Sequence, residues 1–327
     1  MRVLFIGGTG IISSACARAV LDEGLELSAV VRGRSTHRPL PDGVEVIHAD
    51  ARDDAALASE LADRRFDVVV DYVAYTPEHV AADLRRFAGR VEQYVFISSA
   101  SAYRKPLASL PILESTPLAN PHWQYSRDKI ACEEMLWRAW RDDGVPVTIV
   151  RPSHTYDRTS VPTLGGWTAV ERMRRGDPVV VAGDGTSLWV LTHHDDFARA
   201  FVGLLGNPKA IGEAFHITSD QLCTWNEIYA SLGRAAGAEP NLVHVASETI
   251  ARLQPEWGPG LLGDKSHSVI FDNTKVKRLV PGWAAGTTFA SGAREIVAWH
   301  DGDASRRPHE PAVGTAMDAL VQQALAG

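Results

Sequence analysis

The sequence predicts an α/β fold, a doubly wound parallel sheet followed by a smaller C-terminal lobe. In the first half of the chain, short β-branched runs alternate with longer amphipathic stretches, the pattern of strands joined by helices. Because such crossovers are right-handed, the alternation gives a parallel sheet with helices on both faces. After Arg151 and Pro152 the alternation stops, and Gly, Pro and Trp become frequent. Such segments form loops that present aromatic faces, as a substrate-binding lobe would.

The individual elements follow from this alternation. Six strands are predicted, at residues 2–6, 27–32, 44–48, 67–71, 93–98 and 147–151. Four helices are predicted between them, at residues 12–23, 53–62, 78–88 and 123–142. Polar, proline-containing residues 301–314 predict a linker to a terminal helix at 316–326. The expected domains are a sheet domain over 1–152 with returning segments near 190–218, a substrate-binding lobe mainly over 153–300, and a linker and terminal helix over 301–327.

Composition argues against several classes of protein. The 327 residues are 45% hydrophobic and carry a formal net charge of -7, so we expect no bulk attraction to nucleic acid or to anionic membranes. Cys16, Cys132 and Cys223 lack metal-ligand spacing and are interpreted as reduced, buried thiols of a cytoplasmic protein. The N-terminal apolar run is shorter than a signal peptide requires, and no stretch approaches the roughly 20 residues that span a bilayer.

A glycine-rich loop follows the first strand and opens the first helix, with the sequence Gly7-Gly8-Thr9-Gly10-Ile11-Ile12-Ser13. Main-chain N–H groups of such a loop approach a pyrophosphate at the positive end of the helix dipole. The position between strand and helix supports this interpretation over a plain turn. The predicted contacts are Gly7, Thr9, Gly10, Ile11 and Ile12.

The end of the second strand bears on the choice of cofactor. An NAD-preferring site carries an acid there for the ribose hydroxyls, but this chain has Arg32 and Arg34. With Ser35 they could hold a ribose 2′-phosphate, which favours NADP over NAD. The alternative is that two solvated arginines end the strand. Asp50 is placed to accept a hydrogen bond from the adenine amino group, or it caps the helix that starts near Asp53.

Tyr125 and Lys129 stand four residues apart on a predicted helix and therefore share one face. A nearby ammonium favours a phenolate and would lower the tyrosine pKa from about 10, as a general acid/base requires. Without further evidence, such a pair is more often part of a solvated face.

The full set of motifs resembles the extended short-chain dehydrogenase/reductase family, of the NAD-dependent epimerase/dehydratase type. The matching features are the glycine loop, Asp50, Val73-Ala74, the strand leading into Ser98-Ser99-Ala100-Ser101-Ala102-Tyr103, Tyr125 with Lys129, Arg151-Pro152 and His193-His194-Asp195-Asp196-Phe197-Ala198. The resemblance implies that Ser99, Tyr125 and Lys129 form a catalytic triad. Ser98 and Ser101 are neighbouring candidates, and Ser99 is preferred because it lies four residues before Tyr103.

The resemblance further implies a Rossmann domain that binds NAD(P), with the nicotinamide across the carboxyl ends of the strands. Additional cofactor contacts implied are Ala51, Val73, Ala74, Tyr125 and Lys129, the last bonded to the nicotinamide ribose. It also implies a small-molecule substrate, a sugar-like compound or a nucleotide sugar, and a homodimer.

The sequence departs from the family pattern at three places. Ser13 replaces the third glycine, where close helix-to-strand packing excludes most side chains. Ala100 and Ser101 stand where 4,6-dehydratases carry an Asp-Glu pair, so that activity is not expected. The arginine that binds a diphosphate is missing from residues 186–192. Either another residue, such as Arg172, Arg174 or Arg175, binds the phosphates, or the substrate carries none.

Four residues are predicted to bind substrate, namely Ser101, His122, Trp123 and Trp189. For His122 and Trp123 the alternative is packing at a helix start, and for Trp189 it is packing in the core between lobes. The run from His193 to Asp196 resembles a metal cluster. We expect no metal there, because consecutive residues at a helix start point in different directions and the aspartates suit an N-cap.

The predicted function is reversible carbonyl/alcohol chemistry by hydride transfer. Tyr125 would transfer the hydroxyl proton, Ser99 would hydrogen-bond the developing alkoxide, and Lys129 would tune Tyr125. Whether the enzyme is an epimerase with retained NAD or a reductase that exchanges NADP stays open. One alternative is an RNA-binding protein, because residues 71–78 resemble plastid stem-loop RNA-binding proteins on the same fold. Another is an NAD(P) sensor without turnover.

Overall fold

A computed structural model describes residues 1–35, 37–62, 64–308 and 310–326. The strands are β1 (Arg2–Ile6), β2 (Glu26–Val31), β3 (Glu45–His48), β4 (Val68–Asp71), β5 (Gln93–Ile97), β6 (Val147–Pro152), β7 (His154–Tyr156), β8 (Pro178–Ala182), β9 (Leu188–Trp189), β10 (Leu191–His193), β11 (Glu213–Ile217), β12 (Cys223–Thr224) and β13 (Asn241–Val245). The helices are α1 (Ile11–Asp22), α2 (Asp54–Leu61), α3 (Pro77–Phe87), α4 (Gln124–Asp143), α5 (Gly166–Arg175), α6 (His194–Val202), α7 (Trp225–Ala235), α8 (Ser247–Leu253), α9 (Gly258–Gly260), α10 (Thr274–Leu279), α11 (Phe289–Asp301) and α12 (Pro311–Ala326).

The central sheet confirms the predicted fold class. Seven strands pair in the order β11-β6-β5-β4-β1-β2-β3, and every pairing is parallel. Valine-rich strands such as β4 are buried along their whole length, as expected for a sheet covered on both faces. The strand order reverses between β1 and β4, where doubly wound sheets bind their ligands.

Alternate residues of each strand face opposite helical layers. On one face, Phe5 of β1 packs in a cluster with residues of α1 and α6, including Phe201. On the other face, Leu4 packs with residues of α2, α3 and α4, including Leu136. Helix α4 is therefore fixed against the sheet by its buried face, which positions the side chains at its N-terminus.

The C-terminal lobe contains three small two-stranded sheets, β7 with β10, β8 with β13 and β9 with β12. Its core is rich in aromatic residues and includes Trp189, Trp225 and Phe289. The returning segments α6 and β11 pack on the central sheet, since α6 shares a core cluster with β1 and β11 pairs with β6.

The chain end differs from the expected linker and short helix. Helix α12 begins at Pro311 rather than at residue 316, because proline suits the first turn of a helix. Met317 and Leu320 bury this helix against the lobe. The connection from α11 contains a 3-10 turn at Ala304–Arg306, and residues 309 and 327 lie outside the described part of the chain.

Two expectations about environment can be compared with the structure. Cys16 and Cys132 are buried as predicted, whereas Cys223 is partly exposed, because β12 is a short strand at the edge of its lobe. Among the described residues, no helix is long and apolar enough to cross a membrane.

Candidate active site

A groove of about 470 Å³ lies at the carboxyl ends of β1, β2, β3 and β4. The predicted cofactor residues that line it are Gly7, Thr9, Arg32, Arg34, Asp50, Ala51 and Val73. Gly7 has a φ of 84°, and a Cβ at this position would lie 2.7 Å from Val73 Cγ1. Only glycine therefore allows the loop to approach Val73 so closely.

The start of α1 explains how the chain accommodates Ser13. Gly10 is the N-cap residue of α1, and its N–H donates to Ser13 Oγ at 2.8 Å. Ser13 is buried, so its side chain is small enough for the place where the family has a third glycine. The same hydroxyl accepts the Gly10 N–H and thereby caps the helix. The first N–H groups of the helix, including those of Ile11 and Ile12, have no intrahelical acceptor and are suited to a pyrophosphate.

Asp50 and Asp53 have separate roles at the edge of the groove. Asp53 is the N-cap of α2 and accepts a hydrogen bond from the Ala56 N–H at 3.0 Å. Asp50 instead accepts from the Arg52 N–H at 3.0 Å. The alternative of Asp50 as a helix cap is therefore wrong, and its carboxylate lines the groove.

The groove also contains residues that sequence reasoning missed, among them Arg52, Tyr75 and His79. Arg52 lies 3.5 Å from the buried carboxylate of Asp71, which itself accepts the N–H groups of Val73 and Ala74. Asp71 thereby shapes the turn after β4. The only feature of the sequence that pointed to this part of the groove was Asp71 at the end of β4. Its hydrogen bonds to the next turn could not be predicted from residue spacing.

Ser99 and Lys129 are fixed where β5 ends. Ser99 caps the 3-10 turn at Ala100–Ala102, and its Oγ lies 2.8 Å from Ser101 Oγ. Lys129 is buried, and its Nζ donates to the carbonyl oxygens of Ala74 at 2.6 Å and of Ile97 at 2.7 Å. The lysine therefore joins the ends of β4 and β5 underneath the site.

Burial controls the pKa values of this group. Burial raises the pKa of Tyr125 to about 12, and the Ser99 hydroxyl acts in the opposite direction. Burial also lowers the pKa of Lys129 to about 8, opposed by the charge of Asp71. The expectation that Lys129 lowers the Tyr125 pKa is wrong for this structure, because its Nζ lies 5.9 Å from the Tyr125 ring centroid and desolvation is larger. Tyr125 is consequently a protonated phenol at neutral pH.

Ser99 and Tyr125 face a cavity of about 280 Å³, here called the inner cavity. Its walls also include Ser101, which bonds to Ser99 and Ser126, and Trp189. Trp189 is only 3% exposed and stacks on Trp225 with ring centroids 5.2 Å apart. Packing in the core is therefore its main contribution, and only part of the ring reaches the inner cavity.

A second cavity of about 750 Å³, the outer cavity, adjoins the first. His122 and Trp123 line it, and Trp123 and Tyr125 line both cavities. Trp123 is also the N-cap residue of α4, without a side-chain capping bond. The two predictions for Trp123, pocket lining and helix-start packing, thus describe the same position.

Sequence reasoning missed His154, Asp264 and Lys265, which line the inner cavity. The indole N–H of Trp189 donates to His154 Nδ1 at 3.1 Å, and burial lowers the pKa of His154 to about 3. Asp264 and Lys265 lie in a π-helical turn, Leu261–Lys265. No spacing signal could have found them, because the packing of the lobe brings this turn to the start of helix α4.

The arginines considered for a diphosphate have other partners. Arg172 pairs with Asp318 at 2.7 Å, Arg174 with Asp301 at 2.6 Å and Arg175 with Asp177 at 2.8 Å. None of these arginines lines the inner or the outer cavity. These three arginines are therefore not placed to bind a diphosphate in either cavity, and the choice between another phosphate-binding residue and a substrate without phosphates stays open.

The side chains from His193 to Asp195 were expected to point in different directions, and this expectation is wrong. His193 is itself the N-cap of α6, and its Nδ1 accepts from the Asp195 N–H at 3.3 Å. Ligand atoms of His193, His194 and Asp195 consequently lie within 4.8 Å of one another. Arg18 pairs with Asp195 at 2.8 Å, and this guanidinium opposes a cation at the same carboxylate.

Comparisons with known proteins agree with this geometry. The model of the family described as "NAD dependent epimerase/dehydratase family" matches residues 3–218. A 2'-dehydrokanamycin reductase from Streptomyces kanamyceticus is 31% identical over 288 residues, 86% of this chain and 80% of that protein. The chloroplast stem-loop binding protein of 41 kDa b from Arabidopsis thaliana is 29% identical over 256 residues, 74% of this chain and 65% of that protein.

A solved structure shows the same fold. The UDP-glucose 4-epimerase from Bifidobacterium longum, in complex with NAD+ and UDP, superposes with a TM-score of 0.76 over 94% of this chain and 100% of that chain. Its sequence identity is 19%, so this likeness describes the architecture alone.

Proposed function

Because the chain belongs to the NAD dependent epimerase/dehydratase family, we propose that it is an NAD(P)-dependent reductase or epimerase acting on a hydroxyl or keto carbon of a sugar-like substrate. One observation carries this proposal. Ser99 and Tyr125 face the inner cavity, and Lys129, on the same helix as Tyr125, bonds to the ends of β4 and β5 beside the cofactor groove. When bound there, the nicotinamide supplies or accepts a hydride.

Tyr125 is suited to donate a proton in a reduction. With its pKa raised to about 12 by burial, the phenol keeps its proton at neutral pH and can donate it to the oxygen of a carbonyl. Ser99 donates a hydrogen bond to the same oxygen as charge develops there. Lys129 joins the chain segments that follow β4 and β5 through its bonds to Ala74 and Ile97. Its ammonium lies below Ser99 and Tyr125. The 2'-dehydrokanamycin reductase supports the same direction.

Arg32 and Arg34 line the groove at the end of β2, where an acid would select NAD. Two guanidinium groups suit a 2′-phosphate, so we propose NADP as the exchanged cofactor. To test this, the protein is purified without added cofactor and denatured, and released nucleotide is identified by mass spectrometry. An empty protein that binds NADPH more tightly than NADH supports the reductase.

Retained NAD would instead support the second candidate, an epimerase that recycles its own cofactor, in agreement with the family's name. It would also overturn the NADP proposal. A homodimer in the cytoplasm stays part of the proposal, and size-exclusion chromatography with light scattering tests the oligomeric state.

The likeness to the chloroplast stem-loop binding protein favours RNA binding as a function from another class. A salt-sensitive RNA affinity that survives Tyr125→Phe would support it. A third candidate is an NAD(P) sensor, which would bind cofactor tightly and show no substrate-dependent change in nicotinamide absorbance.

A further inference from the structure

The inner and outer cavities are neighbours. They share Trp123, Tyr125, His154 and Lys265 as walls. The inner cavity is about 280 Å³ and holds the reacting groups, whereas the outer cavity is about 750 Å³. Binding sites for small molecules are typically about 300–1,000 Å³, so a ligand that reaches Tyr125 has room for further rings outside.

The charges around the two cavities balance. Among the described residues that line them, the cations are Arg127 and Lys265 and the carboxylates are Asp264 and Glu256. A diphosphate brings two negative charges and is held by free guanidinium groups or by an excess of cations. The lining offers no such excess.

The one arginine of the lining is already occupied. Arg127 donates to the Gln124 side-chain oxygen at 2.7 Å and to the Pro121 carbonyl at 2.9 Å. Its Nη1 also lies 3.3 Å from the Asn120 carbonyl oxygen. These bonds hold the guanidinium along the start of α4, where it caps the preceding loop instead of facing a ligand.

The outer cavity has aromatic walls, contributed by Trp123, Trp225, Tyr229 and Trp257. The indole N–H of Trp225 is bonded to the Lys265 carbonyl oxygen at 3.0 Å, and the Tyr229 hydroxyl accepts the Leu164 N–H at 3.2 Å. The polar atoms of these two rings are thus satisfied within the protein. Both rings are buried, Tyr229 at 1% and Trp225 at 6% exposure, so the partly exposed rings of Trp123 and Trp257 are the ones available to apolar faces of a ligand.

Two hydrogen-bond donors stand where the cavities meet. An indole N–H only donates, so His154 Nδ1 must accept from Trp189 and the imidazole proton lies on Nε2. The Lys265 ammonium lies 5.7 Å from the Trp123 ring centroid, and Lys265 lines both cavities. Both groups suit hydroxyl or ether oxygens at the junction.

We propose that the substrate is a phosphate-free glycoside of two or more rings, with its reacting ring in the inner cavity and its other rings against the tryptophans of the outer cavity. Pyranose rings combine flat apolar faces with hydroxyl groups at their edges, which matches aromatic walls with donors between them. This inference rests on the proposed function, since it names the substrate class of the same site.

The experiment is isothermal titration of the protein saturated with NADP+ or NAD, whichever it binds, using UDP, UDP-glucose, maltotriose and kanamycin. At least one of the two glycosides is expected to bind at least tenfold more tightly than UDP. Trp257→Ala, which alters the outer cavity alone, should weaken that glycoside at least tenfold. Trp140→Ala, at an exposed tryptophan of α4 outside both cavities, is the matched control and should leave it unchanged.

Two results would overturn the inference. One is UDP binding as tight as that of the better glycoside and lost in Lys265→Met, which would make Lys265 a phosphate ligand. The other is binding of neither glycoside by protein that is saturated with cofactor. Failure of the proposed function is distinguishable, because it appears as absent NAD and NADP+ binding before any sugar is added.

Discussion

Arg151 and Glu133 form a buried ion pair that joins strand β6 to helix α4. The Arg151 Nη2 lies 2.6 Å from Glu133 Oε2, and Nε lies 2.9 Å from Oε1. The Ser98 hydroxyl donates to the same carboxylate at 2.5 Å. Because Ser98 precedes Ser99 and α4 carries Tyr125, this network helps to fix the position of Ser99 relative to Tyr125.

Glu133→Gln is therefore expected to destabilise the fold strongly. It leaves the buried guanidinium of Arg151 without a counter-charge, which typically costs about 3–5 kcal/mol. Urea denaturation of the wild type and the variant measures the loss. The control is Glu213→Gln, which removes a partly exposed pair with Lys275 and should cost less than about 1 kcal/mol. Equal losses in both variants would contradict a special role for the buried pair.

Tyr125→Phe is expected to abolish proton transfer while cofactor still binds. Removal of a general acid typically lowers the rate by about 10²–10⁴-fold, measured from nicotinamide absorbance with a carbonyl substrate found by screening. Tyr72→Phe is the control, since Tyr72 is buried and lines neither cavity. Similar rates for the two variants would remove Tyr125 from the mechanism.

The first half of the chain could be predicted closely because its signals are local. Each predicted strand and helix there lies within two residues of the observed element, since periodicity and flanking glycines define both ends. The roles given to Ser99, Tyr125 and Lys129 came instead from the resemblance of their motifs to the family, because spacing alone does not separate a catalytic Tyr/Lys pair from a solvated helix face.

The outer parts of the site depend on tertiary packing and could not be predicted. His154 and Lys265 are more than a hundred residues apart in sequence, yet they share both cavities. The shifted pKa values of Tyr125 and Lys129 were missed because the depth of burial is set by the whole fold. Spacing on a helix shows that Tyr125 and Lys129 are neighbours. It does not show that the Lys129 ammonium donates to the carbonyl oxygens of Ala74 and Ile97.

Arg32→Ser with Arg34→Ser is expected to weaken NADPH binding and leave NADH binding nearly unchanged. A hydrogen bond to a charged group contributes about 1.5–3 kcal/mol, so losing both guanidinium groups should cost at least about tenfold in affinity for NADPH. Fluorescence titration of both nucleotides measures the ratio. Arg90→Ser, at an exposed arginine after α3, is the control. An equal loss for NADH would show that these arginines hold a group common to both cofactors.

The buried Lys129 makes the stability of the fold depend on pH in the alkaline range. Burial lowers its pKa from 10.5 to about 8, so between these values the unfolded chain binds a proton that the folded chain has released. The free energy of unfolding contributed by this group therefore rises with pH from about 8 to about 10.5, and below about 8 it is constant. Lys129→Met should remove that rise, while Lys209→Met, at an exposed lysine, should retain it. Urea denaturation across this range tests the sign, and parallel curves for the wild type and Lys129→Met would show that the lysine keeps its proton as readily in the folded as in the unfolded chain.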